Sequence, residues 1–390
     1  MIETKDFTSL VYLGIILANT VWRIIFLCAR GVSLFCIRGP VLMKRALLFL
    51  VLVMCFSTFG IFLVEAGLVQ LEIIAESEKL WTGVAVSQRK RIFVNFPNWS
   101  AEHGISVAEI SATGDLLPYP DEEWNFWDPD LSPSEHFICV QSVYVDKEDS
   151  LWILDPASPG LDGVVEGGPK LVKIDLNTSR ISRRYFFDLS AAPLKSYLND
   201  VRIDDHRGFA YITDSGTGAL IVLDLQSGKS RRILEDHPST KAEDITLVIE
   251  GNEFASHIHV DGLALDAEGE YLYYQALSGR TLYRVPTGVL RDFSVSSETI
   301  GRSVQKLGVT GASDGIEFGM DGLLYLSSIE SNAIRSYDPA TGKTEVVAWG
   351  SMIKWPDSFS AAADGYIYFT VSQLHQDNPD EPYRILRFKP

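Results

Sequence analysis

Short runs in which apolar and polar residues alternate recur along residues 68–390, and turns rich in Asp and Gly separate them. A period of two residues is typical of β-strands that bury one face. Five segments share one plan: a polar residue, an alternating strand, an Asp/Gly turn and an aromatic-rich second strand. They are QSVYVDKEDSLWILD, DVRIDDHRGFAYITD, DGLALDAEGEYLYYQ, DGIEFGMDGLLYLSS and DSFSAAADGYIYFTV, and a weaker copy, GVAVSQRKRIFVNFP, precedes them.

A second strand pair such as GALIVLDLQSGKSRRILED follows each copy, so one repeat predicts four antiparallel strands. Repeats begin about fifty residues apart, a spacing typical of propeller blades. The pattern therefore predicts an all-β fold, a six-bladed β-propeller over residues 68–390. The last copy lacks an outer strand, and LVQLEIIAES at residues 68–77 is expected to supply it and close the ring. A two-sheet sandwich is the alternative, but it explains neither the repeat nor the number of copies.

Residues 1–67 are predicted to be a hydrophobic export signal or membrane anchor. Lys44 and Arg45 follow Met43, and the chain is then apolar up to Val64, as in a signal peptide. Two interpretations stay open: residues 1–67 hold one or two membrane helices, or Met43 is the true start of an export signal. Either way the propeller is expected to be secreted, extracellular or periplasmic, and membrane-anchored only if this segment is retained.

The formal net charge is −17, from 51 acidic and 34 basic residues. Residues 1–67 hold six Lys/Arg and three Asp/Glu, which leaves about −20 for the remainder. So acidic a domain argues against a nucleic-acid partner, because phosphate contacts need Lys and Arg. It suits a cation or a cationic small molecule. Cys139 is the one cysteine beyond residue 67, which excludes an internal disulfide in the propeller region.

The repeat also predicts a site, because the residue that opens each innermost strand lies at one mouth of a propeller's central channel. This geometry brings together Gln141, Asp200, Asp261, Asp314 and Asp357, with Asn199 beside Asp200. Each Asp is followed by a Gly eight residues later, which matches Asp200, and not Asn199, to the later blades. Clustered carboxylates need a cation, raised pKa values or backbone N–H donors. A purely structural role as strand-entry caps is the alternative. His375, in a polar excursion, is expected to overhang the same mouth.

The chain resembles the Yellow/major royal jelly proteins, as a bacterial-type member. The motifs that carry the likeness run in order through residues 81–390: TGVAVS, QSVYVD, GGPKLVKIDL, SYLNDVRID, DGLALD, LYYQALSGRTLYRVPT, SDGIEF, GLLYLSSIESNAI and WPDSFS. The resemblance implies a secreted six-bladed propeller. Some members of the family bind small aromatic amines in the channel, which implies a site at channel-mouth positions such as Asn199, Asp314 and Asn332.

A more distant resemblance is to the metal-dependent gluconolactonases, whose cation is held by a Glu, two Asn and an Asp. Matched blade by blade, these ligands fall at Gly83–Val84, Gln141, Asp200 (or Asn199) and Asp261. The Glu is missing, which puts a lactonase-type metal site in doubt. Asp200 and Asp261 are the predicted metal ligands, and calcium, with Asp314 and Asp357 added, is the expected cation if one is bound.

Three functions follow as hypotheses. The first is a monomeric propeller that binds a small ligand, an aromatic amine or a cation, at the acidic channel mouth. The second is a metal-dependent lactone hydrolase in which Asp261 or Asp200 handles protons. The third is a structural or interaction protein with a water-filled channel. The sequence leaves open whether the protein is an enzyme and establishes no cofactor.

Overall fold

The computed structural model describes residues 69–100 and 104–390. Residues 67–390 form one compact unit. Its strands build six four-stranded antiparallel sheets and a separate hairpin. The predicted signal or anchor lies outside the described residues, and among those described no helix is long and apolar enough to cross a membrane.

Each sheet is one blade, whose strands follow in chain order from the innermost outward. Blade 1 comprises β2 (Val84–Val86), β3 (Ile92–Asn95), β4 (Val107–Ile110) and β5 (Leu116–Pro118). Blade 2 comprises β6 (Ser142–Val145), β7 (Ser150–Asp155), β8 (Lys170–Asp175) and β9 (Arg180–Phe186). Blade 3 comprises β10 (Leu198–Asp204), β11 (Phe209–Asp214), β12 (Ala219–Asp224) and β13 (Ser230–Ile233).

The second half repeats this order after an inserted hairpin, β14 (Leu247–Ile249) and β15 (Asn252–Phe254). Blade 4 comprises β16 (Val260–Leu265), β17 (Tyr271–Ala276), β18 (Thr281–Pro286) and β19 (Gln305–Val309). Blade 5 comprises β20 (Ser313–Phe318), β21 (Leu324–Ser328), β22 (Ala333–Tyr337) and β23 (Thr344–Trp349). Blade 6 comprises β24 (Pro356–Ala361), β25 (Ile367–Val371), β26 (Tyr383–Phe388) and, outermost, β1 (Glu72–Ser77).

The helices are short and lie in the connections between strands. They are α1 (Glu122–Asn125), α2 (Thr287–Arg291) and α3 (Ser297–Ser303), with single 3-10 turns at Pro159–Leu161, Pro238–Thr240 and Ile329–Ser331.

The six innermost strands form a closed ring: β2 contacts β6, and the contacts continue through β10, β16, β20 and β24 back to β2. This closure confirms the six-bladed propeller and rules out the sandwich. The expected ring closure is also confirmed, because β1 pairs antiparallel with β26 and so completes blade 6 with a strand from the start of the domain. Apolar side chains between neighbouring blades form the core, as in the cluster that joins Trp152 and Leu171 of blade 2 to Val201 and Ile212 of blade 3.

Candidate functional site

One polar residue from each blade lies at the same point of the innermost strand. In blades 3 to 6 the ladder between the first two strands is interrupted at this point, between Leu198 and Val201 in blade 3, for example. In each of these blades two residues lie within the interruption: Asn199-Asp200, Asp261-Gly262, Asp314-Gly315 and Asp357-Ser358. The first residues of these pairs occupy equivalent positions in the four blades. In blades 1 and 2 the same register gives Thr82 and Gln141. We call these six residues the polar ring: Thr82, Gln141, Asn199, Asp261, Asp314 and Asp357.

The strand register shows that matching Asp200 to Asp261, Asp314 and Asp357, as the sequence pattern predicts, is wrong by one residue. The ring member is Asn199, and Asp200 corresponds to Gly262, Gly315 and Ser358. The glycine spacing was misleading because the β10–β11 turn places its glycine one residue later. The amide of Gly208 bonds to a carbonyl four residues back, whereas those of Gly269, Gly322 and Gly365 bond three back. A side chain at Gly262 or Gly315 would collide with the carbonyl of the ring residue in the next blade, which explains the glycines there.

Hydroxyl groups fix the backbone of the ring. The Thr82 hydroxyl donates to the carbonyl of Gln141 at 3.1 Å, and Thr213 donates to the carbonyl of Asp261 at 2.8 Å. Thr370 of blade 6 donates in the same way to Thr82. Each of these bonds joins one blade to the ring residue of the next, so the ring is held by the closed propeller and not by any single blade.

A cavity of about 530 Å³ lies over the ring. Gln141, Asn199, Asp261, Asp314 and Asp357 line it together, as the channel-mouth geometry predicted. Its walls are largely aromatic and apolar: Leu80, Trp99, Leu161, Tyr197, Phe254, Ile258, Leu277, Trp355, Leu374 and Tyr383. The cavity therefore combines an acidic floor with aromatic sides.

The floor has a neutral half and an acidic half. On the neutral half, Trp99 donates to the Tyr197 hydroxyl at 2.7 Å, and Tyr197 donates to Gln141 Oε1 at 2.8 Å. Asn199 then donates through Nδ2 to Asp261 Oδ2 at 2.8 Å. On the acidic half, Trp355 Nε1 donates to Asp314 Oδ2 at 2.7 Å. Asp261 and Asp314 therefore each accept a hydrogen bond from an uncharged side chain.

The three ring carboxyls are 4–5% exposed and lie in adjacent blades. Burial raises the pKa of Asp314 to about 7, although its bond from Trp355 acts in the opposite direction. Burial, followed by repulsion from Asp314, raises the pKa values of Asp261 and Asp357 well above the ordinary range. Loss of solvation is the dominant cause in each case, because a buried carboxyl is more stable uncharged.

The channel is crossed below the ring by Arg202. Its guanidinium reaches from blade 3 to blade 5, where Nη2 donates to the carbonyl of Ile316 at 2.9 Å and Nε lies 3.0 Å from Glu317 Oε2. Nη1 pairs with Asp200 Oδ1 at 2.7 Å. Since the side chain joins blades 3 and 5 through the channel, it gives the cavity a floor below the ring.

Three predicted site residues do not line the cavity. Asp200 is held by Arg202 and by the Ser142 hydroxyl. Asn332 and His375 bind opposite oxygens of Glu250, at the tip of the β14–β15 hairpin, each at 2.9 Å. His375 also stacks on Trp355 with ring centroids 5.9 Å apart. Asn332 and His375 therefore support the wall of the cavity from outside, whereas Asp200 lies below the ring beside Arg202.

The most important wall residues missed from the sequence are Tyr197 and Trp355. Each stands two residues before a ring member and lines the cavity together with that member. A large aromatic residue two places before Asn199 and before Asp357 is the signal that would have identified them.

A lactonase-type metal set does not fit these residues. Its four positions fall on Thr82, Gln141, Asn199 and Asp261, which offer a single carboxylate. The Thr82 hydroxyl and the Gln141 Oε1 are already engaged within the protein, and Asp200 is paired with Arg202. Within the described ranges, the group of three acids whose oxygens lie within 4.8 Å of one another is Asp146, Glu148 and Asp205, which does not line the cavity.

Comparison with known proteins identifies the family and the fold of this chain. The model of the major royal jelly protein family matches residues 138–375. Major royal jelly protein 6 of Apis mellifera is 28% identical over 180 residues, covering 44% of this chain and 39% of the relative. Major royal jelly protein 5 of the same species is 28% identical over 216 residues, covering 51% and 34%. The matches thus span well under half the length of these relatives.

Among solved structures, a luciferin-regenerating enzyme superimposes with a TM-score of 0.52 at 11% identity, covering 83% of this chain and 95% of that one. A gluconolactonase from Xanthomonas campestris gives 0.51 at 13% identity, covering 84% and 91%. At such low identity these likenesses establish the fold alone.

Proposed function

The chain belongs to the major royal jelly protein family, and we propose that its propeller binds a small aromatic amine in the cavity over the polar ring. The observation that carries this proposal is the pairing of three buried carboxyls with aromatic walls in one cavity of about 530 Å³. A cavity of this size suits a small molecule. Carboxylates stabilise an ammonium group, and aromatic faces contribute both apolar contact and cation–π attraction.

Asp357 is the ring member best placed to accept the ammonium group. Its Oδ1 receives the Ser358 hydroxyl at 3.1 Å, whereas Oδ2 is buried and has no partner within the described part of the chain. A buried oxygen without a donor is costly, so a ligand N–H that supplies the donor gains the full benefit of the bond. The ring of the amine would then lie between the aromatic walls.

We expect tyramine to bind at least tenfold more tightly than 4-ethylphenol, which has the same ring but no ammonium group. Isothermal titration calorimetry measures both. Asp357→Asn is expected to weaken tyramine binding at least tenfold, about 1.4 kcal/mol, because it removes the charge and keeps the shape. Glu345→Gln, an exposed acid on β23, is the matched control and is expected to bind like the parent.

Equal affinity for the two ligands, or unchanged tyramine binding by Asp357→Asn, would contradict an acidic amine site. No heat with tyramine or with tryptamine would remove the amine class. A lactone hydrolase is not favoured, because the metal set does not fit; acid release from glucono-δ-lactone that EDTA abolishes would reverse that judgement.

The propeller is also proposed to act outside the cytosol, on the basis of the basic and apolar segment after Met43. Expression of the full chain followed by N-terminal sequencing of the exported protein tests this. A mature start near Gly67 is expected for a cleaved signal, whereas a retained Met43 or Met1 would show an uncleaved anchor.

A further inference from the structure

Within the described part of the chain, the ring carboxyls lack a cationic partner. Over residues 69–100 and 104–390, no Lys or Arg nitrogen lies within 4.0 Å of Asp261, Asp314 or Asp357. The guanidinium of Arg202 is committed to Asp200 and Glu317. Three adjacent buried carboxylates without counter-charge are unstable, because burial and mutual repulsion both act against the charged forms.

The available donors are too few to stabilise three full charges. Asn199 supplies Asp261, Trp355 and the Asp261 carboxyl supply Asp314, and Ser358 and Ser372 supply Asp357, and none of these donors is a cation. The unpartnered, buried Oδ2 of Asp357 is the second, independent sign of a missing positive partner. Among the described residues, Asp261, Asp314 and Asp357 do not form a group of acids whose oxygens all lie within 4.8 Å of one another, so they do not make the calcium site expected from the sequence. Protons are then the species that can lower the charge of this ring.

Other titratable groups around the cavity do not replace those protons. His257, Asp377, Tyr197 and Tyr383 line it, His375 packs against Trp355, and below the ring lie Asp200, Arg202, Glu317 and Tyr144. Arg202 is the arginine of this set, and it already bridges two acids.

We propose that the ring binds its ligand by exchanging a proton for a cation, an inference that rests on the proposed amine function. In the ligand-free state the three carboxyls hold at least one proton at neutral pH. When an ammonium ion enters, the O–H bond of a ring carboxyl breaks, the proton passes to solvent, and the carboxylate pairs with the ligand's N–H groups. The ligand keeps its own proton and charge.

The direction of the pH dependence follows from the raised pKa values. Burial places the pKa of Asp314 at about 7, and a hydrogen bond from the Asp261 carboxyl lowers it relative to that of Asp261. Below pH 7 the ring holds its proton and the ammonium must displace it, so affinity falls as pH falls, by up to tenfold per pH unit for each proton displaced. Above the carboxyl pKa values, the dependence disappears.

Two measurements on the purified protein test this exchange. Calorimetry of tyramine binding at pH 6.5 in buffers of different ionisation enthalpy counts protons, and we expect about one released per tyramine. Infrared spectroscopy of the ligand-free protein at pH 7 reports the C=O band of protonated carboxyl groups. We expect such a band, weaker in Asp314→Asn and in Asp357→Asn, and unchanged in Glu345→Gln.

The outcomes separate this inference from the proposed function. Tyramine binding without proton release, or a spectrum with no protonated-carboxyl band assignable to the ring, would overturn the exchange. If the band is present but no amine binds, the protonated ring is supported and the amine function fails. Circular dichroism of each variant confirms that the propeller has folded, so that a lost band reports the carboxyl and not the fold.

Discussion

Replacing Arg202 by Met is expected to lower the free energy of unfolding by about 3–5 kcal/mol, the cost of breaking a buried ion pair from one side. The Arg202 side chain is 5% exposed, and its removal leaves the partly buried Asp200 and Glu317 without a counter-charge. It also removes the bond to the carbonyl of Ile316, which ties blade 3 to blade 5 across the axis. Urea unfolding followed by tryptophan fluorescence measures the change.

Two further variants decide whether charge is the cause. Arg302→Met breaks an exposed ion pair with Glu298 and is expected to change stability by less than about 0.5 kcal/mol. Arg202→Met combined with Asp200→Asn and Glu317→Gln should recover part of the loss, because no buried charge is left unpaired. A loss for Arg202→Met no larger than that for Arg302→Met would show that Arg202 is not needed to balance the two acids.

Removing β1 is expected to destabilise the propeller by more than the 2–5 kcal/mol typical of a single core truncation. Without this strand, β26 becomes an unpaired edge and blade 6 loses the side chains of Ile74 and Ala75 from its apolar cluster. The ion pairs of Arg387 with Glu72 and of Arg384 with Glu76 are lost as well. Thermal unfolding of a chain that begins at residue 79 is compared with one that begins at residue 67.

A peptide of residues 68–78 provides the control for this comparison. If ring closure is the function of β1, the added peptide should pair with β26 and restore part of the lost stability of the shortened chain. Equal unfolding temperatures for the two chains would mean that the other five blades and β24–β26 suffice without closure.

The fold was largely readable from the sequence. Short strands separated by sharp turns recur in every blade, and the turns are rich in Asp and Gly in blades 2 to 6, because each blade repeats the same packing against its neighbours and turns at the same places. The same logic identified residues 68–77 as the missing strand. Five cavity residues, Gln141, Asn199, Asp261, Asp314 and Asp357, were also predicted, since innermost strands necessarily begin around one channel mouth.

Tertiary structure alone decided the alignment of Asn199 and Asp200. One extra turn residue in blade 3 shifts its glycine, and only the strand register shows that Asn199 is equivalent to Asp261. Asp200, a predicted metal ligand, is directed to Arg202 instead. This contact could not be predicted, because Arg202 also meets Glu317, 115 positions further along the chain, and only the closed ring brings blades 3 and 5 together across the axis.

The sequence by itself therefore determined the number of blades, the closure by β1 and the acidic character of the channel mouth, because these properties depend on local patterns repeated along the chain. The tertiary structure decided which carboxyls are paired with a cation and which accept hydrogen bonds from neutral donors alone. That distinction depends on where a few donors, Arg202, Asn199 and Trp355, meet their acceptors across separate blades. The physical reason is that burial and pairing of a charge are properties of its three-dimensional surroundings, which no spacing along the chain specifies.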